Sequence, residues 1–287
     1  MLCTFYVIFA SVAFGFAPIF VKEARLENTP LGSVLLFSYL ISAAMVAIIG
    51  TASRKSLKID WRQALHLGIF GILGFYYTSY FLGKAYDLIP VGLAIMFHFS
   101  YPVIVAAIMT LFYKEKITLL KVLSLVLALT GIALLADFKG GISPGGVVFA
   151  LLSGLCYASY IIAGRKSRFK DLNVFVISFY VNFFGSIFIL AQQLLQGAIV
   201  LPPTLKAWLF VFGLGTLGNA VALIFLTMAI KILGATNTAI LNMLEPFVAV
   251  VLGVIIFNES VSLLTAGGCL MVFAAAVLVT VDTRSNN

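Results

Sequence analysis

Apolar residues run along this chain in blocks of about twenty, each closed by a short polar or charged stretch. The blocks are continuous and lack the inside–outside alternation of a barrel strand, so helix is the expected element. Roughly twenty apolar residues are needed for a helix to span the hydrocarbon core. The pattern predicts ten such helices, at roughly 4–21, 31–51, 64–83, 91–112 and 119–136, then 145–163, 173–195, 207–229, 235–257 and 261–281. Turn-length connections suit a single bundle without a soluble domain. Pro90, Pro144 and the Pro202–Pro203 pair stand at or just before predicted helix starts, where proline is tolerated. The expected fold is an all-α integral membrane protein.

The two halves of the chain are copies of each other. Shifted by 144 positions, the stretch from Gly71 to Leu120 falls on Gly215 to Leu264 without a gap, with Phe81, Pro102 and Glu115 meeting Phe225, Pro246 and Glu259. Earlier segments follow at an offset of 141, where Ala17 meets Ala158 and Tyr39 meets Tyr180. The expected units are residues 1–140 and 141–287, each with five helices. An odd number of crossings forces the second unit to enter from the opposite side, so the repeats are expected to be inverted about an axis in the membrane plane. Duplicated membrane segments of this kind mark many secondary transporters, and a scaffold subunit without a transported ligand is the non-transport alternative.

Composition narrows the class. Of 287 residues, 62% are hydrophobic and 10% are charged, too few polar groups to cover a water-facing surface. The net charge of +8 sits in short loops between apolar runs, which reads as topology and not as a nucleic-acid surface. With the N-terminus placed in the cytoplasm, 13 Lys and Arg residues fall on the cytoplasmic side and five (Lys22, Arg25, Lys84, Lys139 and Lys206) on the other, so both termini are expected inside. The first segment lacks a basic leader and has a counterpart near Phe149–Ala163, so it is expected to be a retained helix. Cys3, Cys156 and Cys269, like His66 and His98, show no metal or disulfide spacing. No nucleotide loop or nucleophile elbow is present, so neither enzyme, cofactor nor metal is expected.

The candidate chemistry lies in the fourth and ninth helices. Pro102 and Pro246 fall mid-helix and free the carbonyls of His98 and Asn242, which need protein, water or ligand at membrane depth. His98 and Tyr101 share a face at a spacing of three, as do Asn242 and Glu245, with Thr238 one turn earlier. A carboxylate at mid-bilayer costs at least about 2.5–3.5 kcal/mol on insertion scales, so Glu245 should face a cavity or a partner. It reads as a contact for a substrate amine or as a proton site, and equally as a helix-locking group. His98 reads as a proton-coupling group or as a neutral hydrogen-bonding residue. Tyr76 and Tyr80 on the third helix, Tyr157 on the sixth and Asn219 on the eighth complete the candidate substrate site, with lipid-facing or packed aromatics as the plain alternative. Glu115 and Glu259 fall at helix ends and read as caps or loop ion pairs. The glycine pairs 71–74, 215–218 and 267–268 read as packing.

Leu244-Glu245-Pro246-Phe247-Val248-Ala249 followed by Phe257-Asn258-Glu259-Ser260-Val261, together with Tyr101-Pro102 and Lys114-Glu115-Lys116-Ile117-Thr118, resembles the paired signature of the EamA branch of the drug/metabolite transporter superfamily. The resemblance covers nearly the whole chain. It implies an inner-membrane carrier whose cavity is lined by helices 1, 3, 4, 6, 8 and 9, and similarity to exporters of amino acids and other small metabolites. Phe14-Gly15 stands where a Trp-Gly is common, and Ser38-Tyr39 where an arginine is often found. The resulting expectation is export of an amino acid or derivative by alternating access, as a monomer or homodimer with possible proton coupling. Uptake or exchange of a nucleoside- or cofactor-like solute, or multidrug efflux, is the alternative.

Overall fold

The computed structural model describes residues 2–54, 56–135, 143–197, 199–257 and 262–285. Lys55, Lys139 and the 258–261 stretch that contains Glu259 lie outside them. Nine helices among the described residues are long and apolar enough to cross a membrane. They are α1 Phe5–Leu26, α2 Leu31–Ala52, α3 Trp61–Tyr86, α4 Val91–Tyr113, α6 Pro144–Lys166, α7 Val174–Leu195, α8 Leu205–Leu233, α9 Ala235–Leu252 and α10 Leu263–Thr283. The shorter α5, Leu119–Leu135, completes the ten.

Packing follows the internal repeat. α1 lies on α8 as α6 lies on α3, α4 meets α6 as α9 meets α1, and α2 meets α8 as α7 meets α3. α2 pairs with its own counterpart α7, and α5 with α10. Every one of these contacts has a partner when α1–α5 are exchanged for α6–α10, which defines a pseudo-two-fold arrangement of two five-helix repeats. Five crossings per repeat make the second one inverted.

Several boundaries differ from the sequence reading for identifiable reasons. α1 runs past residue 21 to Leu26 because Lys22, Glu23 and Arg25 lie on a final helical turn whose buried face carries Ala24. α3 starts at Trp61 instead of 64, because Asp60 and Gln63 form a capping box in which Gln63 N donates to Asp60 Oδ1 at 2.7 Å. Both proline-bearing helices are interrupted just before the proline. α4 is a helix over Val91–His98, breaks at Phe99 and Ser100, and resumes as Tyr101–Tyr113. α9 passes through a 3-10 turn at Asn242–Leu244 before Glu245–Phe257.

Two further irregularities went unforeseen. A π-helical stretch interrupts α3 at Phe70–Tyr76, and another interrupts α8 at Leu214–Val221. They are repeat partners at the 144-residue offset, and each contains one of the Gly-x-x-Gly pairs. Within them lie the points where α3 crosses α6 and α8 crosses α1. A Cβ on Gly74 would sit 2.9 Å from Tyr160 Cβ, and one on Gly218 would sit 3.4 Å from Ala17 Cβ. The π turns widen the backbone where the repeats touch, and such turns gather at functional sites.

Candidate functional site

The kinks and π turns border a cavity of about 90 Å³. It is lined from α1 by Phe14, Ala17, Pro18 and Val21, from α4 by His98, from α6 by Tyr157 and from α9 by Glu245. α3 contributes Phe75, Thr78, Ser79 and Tyr86, and α8 contributes Gly218 and Asn219. These are the six helices implied by the family resemblance. α2 joins them through Leu35.

Glu245 opens the second half of α9, directly after the 3-10 turn, so the kink aims its carboxylate at the cavity. It has no hydrogen-bond or ion-pair partner among the described residues. His98 ends the first half of α4 and is 4% exposed. Its Nδ1 lies 2.8 Å from Ser153 Oγ, and that hydroxyl donates to Ala150 O at 2.6 Å. Since the hydroxyl has a single proton, Nδ1–H is the donor to Ser153 and Nε2 is left as the ring's free nitrogen. The carbonyl of His98, freed by Pro102, approaches α6 so closely that only glycine fits opposite it: a Cβ on Gly154 would lie 2.6 Å from that oxygen.

Tyr101 and Asn242 sit behind this wall and tie the two kinks together. Asn242 Nδ2 donates to Tyr101 Oη at 3.2 Å, Tyr101 Oη donates to Ala239 O at 3.4 Å, and Ser11 Oγ donates to Asn242 Oδ1 at 3.2 Å. The rings of Tyr101 and Tyr157 meet edge to face at 4.7 Å. The Tyr157 hydroxyl lies beside Asn242 without reaching hydrogen-bond geometry. Asn219 Nδ2 donates to Ser38 Oγ at 3.2 Å, and the neighbouring Tyr39 Oη donates to Phe75 O at 3.2 Å and meets Ser79 Oγ at the same distance. The Ser38-Tyr39 pair, where the family often has an arginine, thus bonds one π turn with each side chain.

Of the sequence candidates, Glu245, His98, Asn219 and Tyr157 line the cavity, with Tyr101 and Asn242 immediately behind. Thr238 is fully buried and donates to Gly234 O of its own helix at 2.7 Å. Tyr76 is packed away, donating to Gln192 at 2.7 Å, and Tyr80 stacks in the same α3–α7 aromatic cluster. Thr78, Ser79 and Tyr86 were not anticipated. Hydroxyls recurring near the middle of an apolar helix were the available signal. Glu115, expected at a loop ion pair, lies 3.7 Å from Lys121 Nζ. Cys156 and Cys269 are free. Among the described residues no three His, Cys, Asp or Glu side chains gather to hold a metal.

The cavity is shut on one side by charges. Arg25 at the end of α1 pairs with Asp87 beyond α3 and reaches Gly83 O at 3.4 Å. Lys206 at the start of α8 lies 2.9 Å from Glu27 and 3.8 Å from Glu23. Hydrogen bonds from Lys206 and then Thr204 hold the Glu27 carboxyl below the usual carboxylate range. This is the clamped face. On the opposite face, beyond the Gly74–Tyr160 crossing, α3, α4 and α6 part around a vestibule of about 380 Å³ that contains His66, Phe70, Tyr113, Lys166 and Ser167.

The EamA-like transporter family matches the chain twice, over residues 1–136 and 144–281. The chain is 25% identical over 272 residues to an uncharacterized transporter of Archaeoglobus fulgidus, covering 95% of this chain and 94% of that one. It is 26% identical over 231 residues to the uncharacterized transporter YxxF of Bacillus subtilis, covering 79% and 72% respectively. A solved crystal structure shares the fold at a TM-score of 0.84 with 20% identity, covering 99% of this chain and 98% of that one. The ten-helix bundle, its two broken helices and both family matches agree: the protein belongs to the EamA-like transporter family.

Proposed function

We propose that this transporter exports a small amine-bearing metabolite, an amino acid or a derivative, by alternating access between the vestibule face and the clamped face. The observation that carries the reading is Glu245, a carboxylate without a hydrogen-bond or ion-pair partner among the described residues, on a cavity that no described Lys or Arg lines. An ammonium group answers that charge. Asn219, Thr78 and Ser79 supply hydrogen-bond groups for the remainder of the solute, and Phe14, Phe75 and Tyr157 supply an apolar wall. A carboxylate that binds an amine on one leg of the cycle and a proton on the other would couple export to proton entry, with the His98 imidazole lining the same cavity. The vestibule face carries Arg165, Lys166, Arg168 and Lys170, so the Lys and Arg distribution supports placing it in the cytoplasm, in the plasma membrane, with both termini inside.

The test is counterflow of labelled amino acids and amines into proteoliposomes. Saturable uptake should vanish in Glu245→Gln while elution volume and thermal unfolding stay those of the parent. Normal flux in both Glu245→Gln and His98→Ala would refute the site. The aromatic wall also supports an amphipathic cationic drug as cargo. Competition by such a drug without competition by any amino acid would shift the reading to drug efflux.

A further inference from the structure

The exchange symmetry of the repeats assigns a counterpart to each charge of the clamp. With the offset of 141 for α1 and 144 for α3 and α8, Glu23 corresponds to Gly164, Arg25 to Lys166 and Glu27 to Arg168. Asp87 corresponds to Lys231, and Lys206 to Arg62. The clamp therefore has three acids and two bases, whereas its counterpart set has four bases and no acid. On the clamped face Lys206 draws the start of α8 onto the end of α1. The equivalent place on the other face, between the start of α3 and the end of α6, is the vestibule. Closing it by the same movement would bring Arg62 towards Arg168 and Lys166, and none of the positions matched to Glu23, Glu27 and Asp87 supplies an acid.

The vestibule itself is built for the missing charge. No acidic side chain lines it. His66 Nδ1 and Ser167 Oγ are buried there without a hydrogen-bond partner. Lys166 meets the Tyr113 ring, with Nζ 4.6 Å from its centroid, and has no carboxylate partner among the described residues. Lys166, His66 and Ser167 border one space together with Ser159 and Tyr113, and its remaining walls are apolar. We propose that the vestibule between α3, α4 and α6 is an anion site that takes a phosphate or carboxylate group and lets this face close.

The inference is independent of which solute the central cavity carries, so failure of the Glu245 experiment would leave it standing. Its test uses the full chain, delipidated in an uncharged detergent at constant ionic strength. Thermal unfolding is followed during titration with short-chain phosphatidylglycerol, with inorganic phosphate, and with short-chain phosphatidylcholine. Either anion should stabilise the protein and phosphatidylcholine should not. Lys166→Gln should raise the midpoint concentration about tenfold, the loss of one charge-assisted contact, while Lys170→Gln, an exposed cation of the same face outside the vestibule, should change it less than about twofold. A response to phosphatidylglycerol alone identifies a lipid headgroup, and a response to phosphate identifies a small soluble anion. If Lys166→Gln does not fold, Ser167→Ala is read in the same way. Absence of stabilisation by both anions, or equal losses in the Lys166 and Lys170 variants, would overturn the site.

Discussion

Gly154→Ala probes the kink of α4 more directly than any change to the polar residues themselves. A methyl group there would lie 2.6 Å from His98 O and 2.8 Å from Ser100 Oγ, whereas ordinary contact begins at 3.4 Å. The carbonyl must therefore retreat by several tenths of an ångström. Because Pro102 offers it no N–H, no helical hydrogen bond is available to receive it. The intrinsic preference for alanine over glycine in a helix acts in the opposite sense, by about 0.5–1 kcal/mol. Overpacking of this kind costs about 1–3 kcal/mol, so the net effect should be a loss of up to about 2 kcal/mol. Gly267→Ala is the matched control, since a Cβ there meets nothing within 4 Å. Thermal unfolding in detergent should fall for Gly154→Ala and hold or rise for Gly267→Ala. Displacing His98 also disturbs its bond to Ser153, so counterflow should drop even where the variant folds. Equal unfolding midpoints for the two variants would refute the close approach of α4 to α6 on which the site geometry depends.

Three further outcomes follow from individual contacts. Asn242→Ala strands the buried Ser11 hydroxyl and removes the donor to Tyr101 Oη, and should lower unfolding stability by about 1–3 kcal/mol, and an unchanged midpoint would remove the link between the two kinks. The lowered pKa of Glu27 means that its share of the clamp is present above the usual carboxylate range and is lost as pH falls through its depressed value. Spin labels at the exposed Leu26 and Leu205 should therefore separate on acidification, with the Glu27 step missing in Lys206→Gln, and an identical step in that variant would exclude the ion pair as its cause. Tyr39→Phe removes the side-chain bond to the Phe75 carbonyl in the first π turn and should cut counterflow more than stability, and unaltered flux would show that the turn is held without it.

The helices, their number and the repeat were legible because hydrophobic length and self-similarity are one-dimensional properties. Pro102 and Pro246 marked both kinks for the same reason: a missing donor is a fact about one residue. Partner choice across helices was not legible. Thr238 lies on the predicted polar stripe, yet its hydroxyl donates to its own helix and the residue is not among those lining the cavity. Tyr76 shares a face with Tyr80 as expected, but that face meets Gln192 of α7. The π turns escaped because their sequence cue, glycine pairs in an apolar run, is also the cue for ordinary close packing.

Read by position, the duplication explains the fold. Read by residue type, it shows where the two halves diverge. Crossing points, kinks and π turns are shared between the repeats because they depend on glycine, proline and backbone geometry at matched positions. The chemistry is not shared: His98 stands opposite Asn242, and Tyr101 opposite Glu245, so the cavity gains one carboxylate and one imidazole where strict symmetry would give pairs. Two carboxylates at mid-bilayer would repel each other in the empty site and add a second desolvation cost of at least about 2.5–3.5 kcal/mol. A single one can be satisfied by one ammonium or one proton. At the ends the matched positions diverge as well: Glu23, Arg25, Glu27, Asp87 and Lys206 stand opposite Gly164, Lys166, Arg168, Lys231 and Arg62. A carrier with identical ends would favour neither face, and the substitutions that break the symmetry remove that equivalence.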